Sequence, residues 1–212
     1  RYLGLHFWLA PQFNPAQLVT YMFLHDSSSL QGGITHLFFN MFSLWMFGTM
    51  LERVLGSKRY LFYYLSCGVG AGLVQELWWQ LSWSDMVAEI LAMQGVPSSQ
   101  VGGIVSAWQQ SGEISQFFNQ LVTVGASGAV FGILLAFGML FPNLPMYIIP
   151  FPFPIKAKWM VLGYGLVELA FGVTGAVAGV AHFAHLGGML FGFIMIMVWK
   201  RKGTIGGGNG IY

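Results

Sequence analysis

Five apolar runs, near 34–51, 60–80, 125–141, 158–173 and 180–199, divide this chain, and most of its charge lies outside them. A helix needs about 20 apolar residues to cross a bilayer, and each run reaches or approaches that length. Only 8% of the 212 residues are charged and 56% are hydrophobic, whereas a soluble domain carries about 25% charged residues. The pattern predicts an all-α, polytopic transmembrane helix bundle in contact with lipid, with no separate soluble domain. Aromatic residues gather at the ends of the runs, as interfacial belts do. Cys67 is the single cysteine, so no internal disulfide forms. No nucleic-acid partner is expected.

The basic residues orient the bundle. Arg53, Lys58 and Arg59 follow the first run, Lys156 and Lys158 precede the fourth, and Lys200, Arg201 and Lys202 follow the fifth. With alternating crossings these loops share one face, which the positive-inside rule makes cytoplasmic. Arg1 alone falls on the other side. The connection 82–124 then faces the exterior, and it carries Asp85, Glu89 and Glu113 without a lysine or arginine. Its stretches 85–94 and 104–121 are expected to form amphipathic surface helices. Residues 1–33, broken by Pro11, Asn14 and Pro15, read as an exterior loop, and 203–212 as a flexible glycine-rich tail. Because the chain starts at Arg1 and not at methionine, it reads as a fragment that has lost an upstream part.

This orientation brings polar residues to one depth. The first, third and fifth runs all enter from the exterior, and near their N-terminal ends stand His36 and Asn40, then Ser127, then His185. His36 and Asn40, four apart, share one helix face. Strongly polar groups within spans usually face the bundle interior and mark function. The alternative is that each reaches the nearby interface or ties helices together, which suits one such residue better than four at one level. Gly128 and Gly132, and likewise Gly188 and Gly192, form small-xxx-small faces that let helices approach closely.

These residue types suit acyl transfer. A serine hydroxyl becomes nucleophilic when an adjacent base accepts its proton, and a histidine accepts it and returns it to the leaving amine. His36, the Asn40 amide and the backbone N–H of Ser127 are candidate donors to the oxyanion. No aspartate stands near His185 in the sequence, so a Ser127–His185 dyad is expected, opening to exterior water. No cofactor is implied. A metal site on His36, His182 and His185 is the rival enzymatic reading, but there is no His-Glu-x-x-His pair or acidic cluster. A membrane transporter also places polar groups between helices, often near the midplane and with an inverted repeat; neither sign is present here.

Three elements carry a family resemblance: His36-Leu-Phe-Phe-Asn40, Gly125-Ala126-Ser127-Gly128, and Ala184-His185 followed by Gly188 and Gly192. In order and span direction they make the chain similar to the rhomboid intramembrane serine proteases. The resemblance implies a six-helix core that cleaves transmembrane protein substrates near their exterior end. It assigns Ser127 as nucleophile, His185 as base, and His36 and Asn40 to the oxyanion hole. Phe131 matches a position where an aromatic ring packs on the catalytic histidine. On this comparison 34–202 is a rhomboid-like core holding five spans, with 82–124 as an exterior insertion. The family's first span and its exterior Trp-Arg pair are missing. The alternative within the family is a catalytically silent protein that binds membrane segments. Compactness points to a bacterial plasma membrane.

Other residues have plainer readings. His6 and His25 are expected to be exterior-loop residues. Glu168, inside the fourth run, pairs with His182, stays protonated, or bonds to another helix; the sequence leaves these open.

Overall fold

The computed structural model describes residues 2–25, 30–147, 153–175 and 180–205. Arg1 and the glycine-rich tail beyond Ile205 lie outside them. The entry segment holds a two-residue strand β1 (Leu5–His6), a short helix α1 (Gln17–Thr20) and a 3-10 turn over Tyr21–Phe23. It is tied down by Gln17, whose side-chain amide donates to the Tyr2 and Gln12 carbonyls and whose Oε1 accepts from the His6 and Asn14 N–H groups.

Helix α2 (Leu30–Leu55) starts a few residues before the first apolar run and ends at Gly56, whose φ of 76° favours glycine. Helix α3 (Ser57–Met93) follows at once and has 37 residues, about 55 Å of helix at 1.5 Å per residue. That length carries it well beyond the second apolar run. The stretch 85–94, expected as a separate surface helix, is the outer end of α3. No proline or glycine interrupts the chain between Gly72 and Gly95, and Gly95 provides the stop with φ 82°.

The helix expected over 104–121 is instead two, α4 (Ser98–Ser111) and α5 (Ile114–Phe118), because Gly112 takes a left-handed φ of 80° between them. These elements fold onto the outer half of α3. Phe7, Trp79, Val87, Leu91, Ile114 and Phe118 form a second hydrophobic cluster there. Strand β2 (Val122–Thr123) pairs antiparallel with β1, placing Leu5 opposite Thr123. The connection is thus built onto the bundle together with the entry segment.

The remaining elements are α6 (Ser127–Leu140), the paired strands β3 (Pro145–Tyr147) and β4 (Pro154–Lys156), α7 (Ala157–Thr174) and α8 (His182–Arg201). Helix α6 is central and touches α2, α3, α7 and α8. It is short, apolar, and buried along most of its length. A Cβ on Gly188 would run into the Gly128 carbonyl, and one on Gly132 would lie 2.6 Å from Cys67 Sγ. Only glycine permits these seams. Tyr63 and Tyr21 then donate phenol hydrogens to the Gly132 and Gly68 carbonyls, each at 2.7 Å.

The five apolar runs are five helices, although they differ as spans. Among the described residues, Gly33–Leu55 and His182–Arg201 are long and apolar enough to cross a membrane by length and composition. Helix α6 has only 14 residues, and α3 and α7 carry Gln75, Glu76 and Glu168. Phe38, Phe42 and Trp45 on α2, and Leu162, Leu166, Leu169 and Val173 on α7, are exposed. An apolar surface of this extent needs a cover, and lipid supplies one.

Candidate active site

Ser127 is the first residue of α6, and a glycine sets the chain up for it. Gly125 has φ 125°, a region open mainly to glycine, and its N–H donates to the Tyr21 carbonyl at 2.9 Å. The entry segment therefore holds the turn from outside the bundle. Burial pushes the Tyr21 phenol above its ordinary range, so it stays a neutral hydrogen-bond donor. At the start of a helix the first N–H groups have no partner within the helix and carry the positive end of its dipole. Ser127 is placed where negative charge is best received.

His185 is the fourth residue of α8, and its Nε2 lies 2.7 Å from Ser127 Oγ. The Gly128–Gly188 seam, where a Cβ on Gly132 would also lie only 2.9 Å from the Gly188 carbonyl, brings α6 and α8 close enough for that contact. Phe131, one turn below Ser127, stacks on the imidazole with centroids 4.3 Å apart and planes 8° from parallel. Trp78 stacks on Phe183 at 3.7 Å, tying the start of α8 to α3.

The other end of the imidazole has a partner that the sequence did not disclose. Glu168 Oε2 lies 2.9 Å from His185 Nδ1 and 2.7 Å from His182 Nδ1. The pairing of Glu168 with His182 was one of three open readings, and it is present. No aspartate stands beside His185, but a glutamate 17 positions earlier does, brought over by the packing of α7 against α8, so the expected dyad has a carboxylate beside it. Its signal in the sequence was a carboxylate within an apolar run, a position rarely occupied without a role.

On α2, Asn40 is buried, and its Nδ2 has no hydrogen-bond partner among the described residues. His36 comes near Ser127 at Gly125: a Cβ built there would lie 3.2 Å from the His36 ring and 3.8 Å from Ser127 Oγ. His25 stands edge-on to His36 at 6.3 Å between centroids, nearer to the site than an exterior-loop reading implies. His6 is far from this chemistry in role: it is buried in β1 with Nδ1 on the Gly4 carbonyl.

The ligand-type atoms of Glu168, His182 and His185 lie within 4.8 Å of one another. Both Nδ1 atoms are engaged with the carboxylate oxygen, and His185 Nε2 with Ser127. The set is a hydrogen-bonded chain from serine to carboxylate. His36 is not in this group of described residues.

The model of the Rhomboid domain matches residues 12–202. Rhomboid protein 1, mitochondrial, of Saccharomyces cerevisiae is 31% identical over 162 residues, covering 75% of this chain and 36% of that protein. Rhomboid protease GluP of Bacillus subtilis is 28% identical over 163 residues, covering 76% and 22%. Rhomboid protease AarA of Providencia stuartii is 26% identical over 179 residues, covering 82% and 54%. The chain therefore spans no more than 54% of any of these three relatives. With its helical bundle and a match from the entry segment to the end of α8, the chain belongs to the rhomboid family of integral membrane proteins, which includes serine proteases that act within the membrane.

Proposed function

We propose that this chain is a serine endopeptidase that hydrolyses a peptide bond of a transmembrane protein near the exterior face of the membrane. The observation that carries the reading is the 2.7 Å contact between Ser127 Oγ and His185 Nε2 at the start of two adjoining helices. His185 Nε2 takes the hydroxyl proton as Oγ attacks the carbonyl carbon, and negative charge moves to the carbonyl oxygen. The unpartnered Asn40 amide, His36 and the first N–H groups of α6 are the donors available to that oxygen. The protonated imidazole gives its proton to the departing amine, leaving an acyl-enzyme on Ser127. Water, deprotonated by the same imidazole, then releases the acid and restores the hydroxyl. The bacterial relatives GluP and AarA and the compact core favour a bacterial plasma membrane as the host.

The test is turnover of a membrane-embedded reporter by the full chain in liposomes, beside a thermal melt and labelling by a fluorophosphonate. Ser127→Ala and His185→Ala should each abolish cleavage while the protein stays folded, because nucleophile and base act as one unit. Substantial cleavage by folded Ser127→Ala would remove the proposal. A folded wild type that neither cleaves nor labels would favour a silent binder of membrane segments.

A further inference from the structure

A serine–histidine dyad leaves Glu168 without a task, yet this carboxylate sits on the far side of the same ring. The line from Ser127 Oγ through Nε2 and Nδ1 to Glu168 Oε2 has contacts of 2.7 and 2.9 Å. Neither His185 nor Glu168 is open to solvent: their side chains are 9% and 13% exposed. Helix α7 is shaped to deliver the group. Gly165, Glu168 and Gly172 are spaced i, i+3 and i+7 and share a face. A Cβ at Gly172 would lie 3.1 Å from the Phe183 ring and 3.3 Å from His182 Cβ. A bulkier residue there would wedge α7 off the start of α8 and pull the carboxylate away.

A purely structural account would have Glu168 satisfy two buried imidazoles. Its stereochemistry does more than that. An ionised carboxylate oxygen only accepts, so both Nδ1 atoms that meet Oε2 carry hydrogen. For His185 this selects the tautomer whose Nε2 is a lone-pair acceptor, the only one able to take the Ser127 proton. Phe131 fixes the plane of the ring by stacking on its face. Glu168 fixes its rotation within that plane, and His182 holds the carboxylate from the other side.

We infer that Glu168 is a positioning residue of the proposed active site, holding His185 in the Nδ1–H tautomer with Nε2 toward Ser127 and facing the positive charge that forms on the ring during attack. No proton passes to the carboxylate; it stays an acceptor throughout the cycle. The inference rests on the proposed roles of Ser127 and His185.

The experiment compares wild type, Glu168→Gln and Glu168→Asp as full chains in liposomes with the transmembrane reporter. Glu168→Gln keeps the shape and loses the charge. Its kcat should fall by about 100- to 10,000-fold, as when the acid of a soluble serine triad is made an amide, with KM within about two-fold of wild type. Glu168→Asp should recover at least about ten-fold in kcat over Glu168→Gln. A folded Glu168→Gln protein with kcat within about three-fold of wild type would overturn the inference. A second measurement needs no variant: the nitrogen spectrum of 15N-histidine wild type should show His185 protonated at Nδ1 and bare at Nε2. The opposite tautomer would overturn the inference even if Glu168→Gln failed to fold. Loss of the underlying reading looks different, since Ser127→Ala would then still cleave.

Discussion

Asn40 is 5% exposed with an amide nitrogen that donates to nothing among the described residues. A buried donor left in that state costs about 1–3 kcal/mol, a cost that a transition-state oxyanion would offset. Asn40→Ala should therefore lower kcat by about 100- to 1,000-fold without lowering the melting temperature. Ser127 should still react with a fluorophosphonate, because nucleophile and base remain. Turnover near wild type in both Asn40→Ala and His36→Ala would take this face of α2 out of the chemistry. The histidine–glutamate cluster gives a second expectation. Both Nδ1 atoms and His185 Nε2 are engaged in hydrogen bonds, so cleavage should survive dialysis against a strong chelator, and a co-purifying metal that restores lost activity would contradict this. Ser127 and His185 were legible as a pair because each stands beside small residues at the same end of an apolar run. Glu168 was legible only as an anomaly. His182 could be named as one possible partner, but the contact with His185 could not, because 17 positions and a helix-helix packing angle intervene and neither is written in local sequence.

Packing between elements sets the precision of the site. Gly188 on α8 faces the Gly128 carbonyl on α6 so closely that any Cβ there forces the backbones apart. Gly188→Ala should destabilise by about 1–3 kcal/mol, read as a lower melting temperature. Turnover should fall further than stability alone explains, since misplacing reacting atoms by about 1 Å costs on the order of 100-fold. Gly163 on α7 has open space around the same atom. Gly163→Ala should therefore be neutral or mildly stabilising, by up to about 1 kcal/mol, and equal behaviour of the two variants would contradict the seam. The apolar runs gave the helices themselves, because length and apolarity are local properties. The continuation of α3 to Met93 was missed because polar residues beyond 80 looked like the end of a span. They are the end of the apolar stretch, while the helix runs on, packing Val87 and Leu91 against α5 and the entry segment and leaving Asp85 and Glu89 exposed.

For the whole molecule, the charge distribution predicts that the loop after α2 faces the cytoplasm and α4 the exterior. Cys67, the single cysteine, is buried, so an introduced thiol can be read against a quiet background. In oriented vesicles or cells, Ser106→Cys on the exposed face of α4 should react with an impermeant maleimide from outside. Ser57→Cys at the α2–α3 turn should react only after the membrane is opened. The reverse pattern would invert the topology and put the site at the wrong face.

Under the proposed function, the brevity of α6 constrains a substrate. Lys200 donates to the Met139 carbonyl at 3.2 Å, so the inner end of α6 lies level with the basic cluster that ends α8. Twelve residues separate Ser127 from Met139, about 18 Å of helix in a hydrocarbon layer about 30 Å thick. In the proposed orientation this puts the hydroxyl roughly 10 Å beneath the outer boundary. A peptide that arrives as a regular helix presents only carbonyls already bonded along its own axis, with side chains around them. On the proposed function such a peptide must uncoil over its first two turns to be cut, so sequences poor at holding a helix there should be cleaved and rigid, leucine-rich ones spared.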